Sequence, residues 1–147
     1  MAATLDSKTF HCEIVAPDRK VFSGDIEFGV FPGTEGELGI LPRHAPLLSK
    51  LSPGIIKIVQ KGMPTSYAIF GGFLDVNNNK VTVVAETCEA AADIDKETCL
   101  AEQKAAEAQI MENRSPAEVA AARLKLKYAL AKIKVGGKEF SQSESKH

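Results

Sequence analysis

Up to about residue 93 the chain alternates apolar and polar positions, and beyond it apolar residues recur every three to four positions. Phe10, Cys12 and Ile14 alternate with His11, Glu13 and Val15. Ile26, Phe28 and Val30 alternate with Asp25, Glu27 and Gly29, and Val81, Val83 and Ala85 with Lys80, Thr82 and Val84. A period of two predicts strands with one face packed inward. Residues 54–59 are nearly continuous in apolar character, as a strand covered on both faces would be. Asn77-Asn78-Asn79 reads as a hairpin turn, because Asn tolerates positive φ. Gly71-Gly72 inside an apolar run reads as a bulge, or as a strand changing sheets. Turn signals recur about every 8–12 residues, the rhythm of a β sandwich or barrel. The pattern predicts a sandwich of about ten strands over residues 1–93.

The second part reads as two helices. Asp93 or Asp95 can cap a first helix running to about Glu112, and Asn113-Arg114 makes a tight turn. Ser115-Pro116-Ala117-Glu118 is a capping box with Pro at the first helical position. The second helix is expected to end near Val135, with Gly136-Gly137 as its stop. So short a connection makes the helices antiparallel. The predicted architecture is α+β: a sandwich at 1–93, a helical hairpin at 94–137 and a flexible polar tail at 138–147. Val119, Ala122, Leu126, Ala129 and Ile133 form one packing seam, facing Thr98, Ala101, Ala105, Ala108 and Glu112. Seams this small bury little area, so the hairpin is expected to be marginally held.

Composition narrows the function classes. The 147 residues carry 18 basic and 19 acidic side chains, a balance that argues against a chain-wide nucleic-acid surface. No apolar run is long enough to span a membrane, and the first ten residues lack the basic-then-apolar run of a secretory signal. Cys12, Cys88 and Cys99 have no metal-site spacing, so neither a disulfide framework nor a zinc site is expected. Charge segregates onto the second helix, where Arg123, Lys125, Lys127, Lys132 and Lys134 follow one another with no acid between. That face suits an acidic partner.

No catalytic constellation emerges. Gly33-Thr34-Glu35-Gly36-Glu37-Leu38-Gly39 has glycines like a phosphate-cradling loop, but carries two carboxylates and no following Lys-Ser or Lys-Thr. Only His11, His44 and His147 are available, too few for a metal cluster on a sandwich. Cys12 beside His11 points to the opposite strand face. No catalytic residue, metal or cofactor is assigned. The segment 31–42 instead reads as a long Gly-rich loop bearing two acids, and the chain as an interaction protein.

Glu35-Gly36-Glu37-Leu38-Gly39-Ile40-Leu41-Pro42, followed by His44-Ala45-Pro46-Leu47-Leu48, resembles the signature of the epsilon subunits of F-type ATP synthases. Gly71-Gly72-Phe73-Leu74-Asp75-Val76 and Val81-Thr82-Val83-Val84-Ala85-Glu86 resemble that family's later strands. The resemblance implies a non-catalytic subunit of the central stalk, coupling ion flow to ATP synthesis. Its implied site is the face of the bacterial inner membrane toward the cytoplasm, or the plastid thylakoid. It implies that Glu35, Glu37, Leu38, Leu41 and His44 touch the proteolipid (c) ring, while the sandwich and hairpin pack on the gamma subunit. It further implies that the helices can press on the catalytic beta subunits through Arg123, Lys125, Lys127 and Lys132 and restrain ATP hydrolysis.

Nucleotide-sensing members open the first helix with I/L-D-x-x-R-A. Here Thr98 stands where that arginine would be, and Tyr128 and Lys132 where further arginines would lie. Asp95, the remaining candidate for a nucleotide site, reads more economically as a cap. A free-standing ATP-sensing module is therefore the second reading.

Overall fold

The structure is a computed structural model that describes residues 8–112 and 115–145, with side chains through Gly137. Eight strands precede the helices. They are β1 (Phe10–Ala16), β2 (Arg19–Ile26), β3 (Phe28–Gly33), β4 (Gly36–Ile40), β5 (Leu47–Leu51), β6 (Gly54–Gln60), β7 (Met63–Asn77) and β8 (Lys80–Ala90). A short 3-10 turn at Ala91–Asp93 leads into α1 (Lys96–Glu112) and α2 (Pro116–Ser145).

Eight strands stand where about ten were expected because β7 and β8 are long, at 15 and 11 residues, and serve both layers of the sandwich. In one layer the second half of β7 pairs with β5 and with the first half of β8, which lies parallel to β1; β2 closes that edge. In the other, the first half of β7 pairs with β6 and with the end of β8, and β3 and β4 follow beyond β6. Gly71-Gly72 is the kink between the halves, where the β7–β8 register slips. Gly72 has φ +148°, and a Cβ there would lie 2.1 Å from the Val84 carbonyl oxygen. The ribbon turns back at Asn78 and Asn79, with φ of 53° and 58°, as the Asn triplet predicts.

The alternation places the core well. Cys12, Ile14, Val81 and Val83 are fully buried between the layers with Phe31, Ile56, Ile58 and Leu74. One alternation does not carry through: β2 ends at Ile26, β3 begins at Phe28, and Phe31, not Val30, enters the core. In β6, Ile56 and Ile58 face the main core while Ile55 faces a second cluster beneath the helices. Hence the unbroken apolar run.

Asp95 is the cap of α1. Its carboxylate accepts from the Thr98 hydroxyl, and this bond, with backbone donors at Thr98 and Glu97, holds its pKa below the ordinary value. Ser115 accepts the Glu118 backbone N–H at 3.1 Å and donates its hydroxyl to the Glu118 carboxylate at 3.0 Å, so it caps α2 as expected. The connecting Asn113-Arg114 lies outside the described residues. On α2 the expected seam holds, with Ala122 and Ala129 buried and Val119, Leu126 and Ile133 half-buried. On α1 it is displaced by one to two residues. Cys99 and Ala106 are buried, with Gln103 and Ile110 half-buried, while Thr98, Ala101, Ala105, Ala108 and Glu112 are exposed. Cys99 fixes that register by packing with Ala68, Ile94, Ala131 and Val135.

Gly136-Gly137 does not stop the second helix, which continues to Ser145. A stop needs a left-handed residue, and neither glycine has positive φ. Gly136 is instead buried in line with Val135.

Gly72 carries the sharpest structural test. Gly72→Ala should lower unfolding free energy by about 3 kcal/mol or more, through strain and the clash with Val84. Gly71→Ala, whose Cβ would meet ordinary 3.4–3.5 Å contacts, should cost less than about 1 kcal/mol. Urea unfolding of the two variants measures the difference.

Candidate functional site

Two surfaces bring the sequence-derived candidates together. The first is the β3–β4 end of the sandwich. Residues 31–42 are not a long loop but a tight hairpin, in which Phe31 pairs with Leu38, Pro32 with Glu37 and Gly33 with Gly36. The glycines that suggested a loop serve the turn: Gly36 has φ +133°, and a Cβ on Gly33 would strike the Gly36 carbonyl at 2.7 Å. Thr34 donates its backbone N–H to the Lys50 carbonyl at 3.2 Å, pinning the tip to β5.

Glu35 and Glu37 are both exposed, and with Leu38 and Ser49 they border a shallow depression of about 250 Å³. Leu38 itself is half-buried and packs toward the main core, so it steadies the tip from beneath. Leu41 (59% exposed) and His44 lie on the next segment, at the far end of β4. That segment is tied to the β7–β8 turn by Asn79, which accepts the Arg43 N–H at 2.8 Å and donates to the Thr9 carbonyl at 3.0 Å. His44 Nδ1 donates to the Ala45 carbonyl at 2.7 Å, which turns Nε2 away from that contact. The tip and this segment are rigidly mounted, and their chemistry is acceptor-rich.

The second surface is the helical hairpin, in which α2 packs on β6, β7 and β8 and α1 packs on α2. Arg123, Lys125 and Lys127 are exposed, whereas Lys132 is turned inward and 6% exposed. The free cations of this face are thus fewer than the sequence suggested, because Lys132 is paired with Glu102 and Glu89. A cleft of about 190 Å³ between the helices and β7 is lined by Phe70, Glu102, Gln109, Lys125 and Tyr128 with small alanines between. It offers one cation beside one carboxylate, too few fixed donors for a triphosphate. Asp95 is occupied as the cap of α1.

Among the described residues no three His, Cys, Asp or Glu side chains converge as metal ligands. His11 sits between two carboxylates, its Nδ1 3.1 Å from Asp25 and its Nε2 3.0 Å from Glu13, so the two acids lie on opposite sides of the ring. The contact with His11 holds the Glu13 pKa down. Sequence reasoning missed this cluster, since the Asp25 partner depends on the β1–β2 register. Burial pushes the Cys12 thiol up to about 12 and the Cys88 thiol up to about 11.

Known proteins share both the sequence and the fold. Residues 9–91 match the family described as ATP synthase, Delta/Epsilon chain, beta-sandwich domain. The chain is 50% identical over 103 residues to an ATP synthase epsilon chain of Pelotomaculum thermopropionicum, covering 70% of this chain and 77% of that one. It is 41% identical over 128 residues to the ATP synthase epsilon chain of Desulforamulus reducens, covering 87% and 97%. A chain in the Euglena gracilis mitochondrial ATP synthase (OSCP/F1/c-ring, rotational state 1) shares the fold, with TM-score 0.74 and 21% identity over 84% of this chain and 79% of that one. A chain of the Tetrahymena thermophila mitochondrial ATP synthase central stalk and c-ring aligns with TM-score 0.58 and 16% identity, over 86% and 95%.

The raised thiol pKa values set a pH dependence. In the folded chain the thiols stay neutral, whereas the unfolded thiols ionise near 9. Their contribution is therefore fully present below pH 9 and is lost as pH rises toward 11–12. Unfolding free energy should fall by up to about 1.4 kcal/mol per pH unit for each thiol in that window. Urea midpoints measured from pH 8 to 10.5 should decline less steeply in Cys12→Ala than in the native chain.

Proposed function

The chain belongs to the ATP synthase delta/epsilon family, and on that premise we propose that it is a non-catalytic rotor subunit of the proton-driven enzyme. In this reading the β3–β4 tip docks on the proteolipid ring. The sandwich and hairpin pack on the gamma subunit, and ion flow through the ring is passed to the catalytic head as rotation. The observation that carries the reading is the rigid mounting of exposed Glu35 and Glu37 on a two-strand lever, with Leu41 and His44 on the segment behind it. A torque-bearing contact needs a stiff support and groups that pair with a polar surface, and this end of the sandwich has both.

No helix of the described residues is long and apolar enough to cross a membrane, so membrane association in this reading runs through the complex. The face is that toward the cytoplasm in a bacterium. The exposed Arg123, Lys125 and Lys127 suit an acidic segment of the beta subunit once the hairpin leaves the sandwich, and that contact would restrain hydrolysis.

Two experiments on reconstituted enzyme test these assignments. Glu37→Gln should leave the melting temperature within about 1 °C, as expected of an exposed side chain. It should also weaken coupling, read as less proton pumping per ATP hydrolysed; intact coupling with lost stability reverses the assignment. Truncation after Asp93 should leave a folded sandwich that co-purifies with gamma, supports synthesis and hydrolyses ATP faster than the full-length assembly. Replacing Arg123, Lys125 and Lys127 by Glu should match the truncation. Equal hydrolysis in all three assemblies removes the inhibitory role.

A further inference from the structure

Among the described residues Lys132 is the one buried charged side chain, and it sits where three elements meet. Its Nζ donates to Glu102 of α1 at 2.7 Å and lies 3.5 Å from Glu89 of β8. It also stands 4.6 Å over the Tyr128 ring, one turn earlier on α2, and Tyr128 donates its hydroxyl to the same Glu89 oxygen at 2.6 Å. Glu89 thus receives both polar groups that the hairpin directs at the sandwich here, and Lys132 joins it to the outer helix as well.

The apolar part of this junction is smaller than the main core. The sandwich contributes Ala68 and Ile55, the connection Ala91 and Ile94, and the helices answer with Cys99, Ala131, Val135, Ile133 and part of Tyr128. An ionised amine held out of water is costly without its counter-charges, and with two carboxylates it is accommodated. Undocking would return Lys132 to water and take both donors from Glu89.

We propose that the Glu102–Lys132–Glu89 bridge, closed by Tyr128, is the latch that holds the helical hairpin on the sandwich. Opening it releases Lys132 and uncovers Cys99 together. The latch is complete within this chain, so docking needs no bound ligand, and it holds whether or not the chain serves as a rotor subunit. Cys99 is the natural reporter, because it is 2% exposed beneath the hairpin while Cys12 and Cys88 lie in the main core.

The test is N-ethylmaleimide labelling of the full-length chain, read cysteine by cysteine by peptide mass. Replacing both carboxylates, Glu89→Gln with Glu102→Gln, strands a buried ammonium. Cys99 labelling should then rise at least about tenfold while Cys12 and Cys88 stay protected. Adding Lys132→Met to that pair removes the stranded charge without restoring the bridge, so Cys99 labelling should fall below that of the double variant yet stay at least about threefold above the native rate. The latch is overturned by a native rate in the double variant, by a triple variant that returns to the native rate, or by all three cysteines becoming reactive together.

Discussion

The β7–β8 ribbon is the constraint on which the rest of the molecule depends. Its two strands run through both layers, so β1 and β5 hang from one half and β6 from the other. The crossing is made at Gly72, where the Val84 carbonyl leaves no room for a side chain. The outer face of the same ribbon, at Ala68 and Glu89, is the platform for the helices. Its turn holds the segment carrying His44 through Asn79. The segment carrying His44, the core and the helical dock are therefore set by one continuous element.

The two apolar clusters differ in kind. The core between the layers is built largely from Ile, Val, Leu and Phe side chains with almost no exposure, enclosed between the two strand layers. The cluster under the helices is smaller and mixes three alanines with Cys99, Tyr128 and four branched residues, and a polar bridge lies beside it. Burial scales with the area removed from water, so the first cluster sets whether the chain folds and the second sets only where the hairpin rests.

Much of this was legible in the sequence because it rests on local rules. Strand faces at Cys12-Ile14 and Val81-Val83, the Asn78-Asn79 turn, the Gly71-Gly72 kink and the Ser115 cap each follow from a few adjacent residues. What was illegible depended on contacts distant in sequence. Glycines at 33 and 36 are compatible with a loop or a tight hairpin, and pairing with β5 decides between them. The stop expected at Gly136-Gly137 fails because helical φ suits glycine too, with Val135 and Gly136 buried in the packed helix. The α1 seam slipped by one to two residues because Cys99 answers to Ala68, thirty-one positions away. Lys132 counted as one of five surface cations until the fold brought Glu89 and Glu102 to it.

The parallel pairing of β1 with β8 has a kinetic consequence. Residues 11–15 find their partners only at 80–84, so the strand near the start of the chain waits for nearly the whole sandwich before its second edge is covered. Such pairing of distant segments is slow, because the entropy of closing the intervening chain is lost before any contact rewards it. During synthesis the β1–β2 hairpin stands alone on the ribosome with an open edge, exposed to mispairing until β8 emerges. The helices follow β8 out of the exit tunnel, and they meet a platform that is already complete.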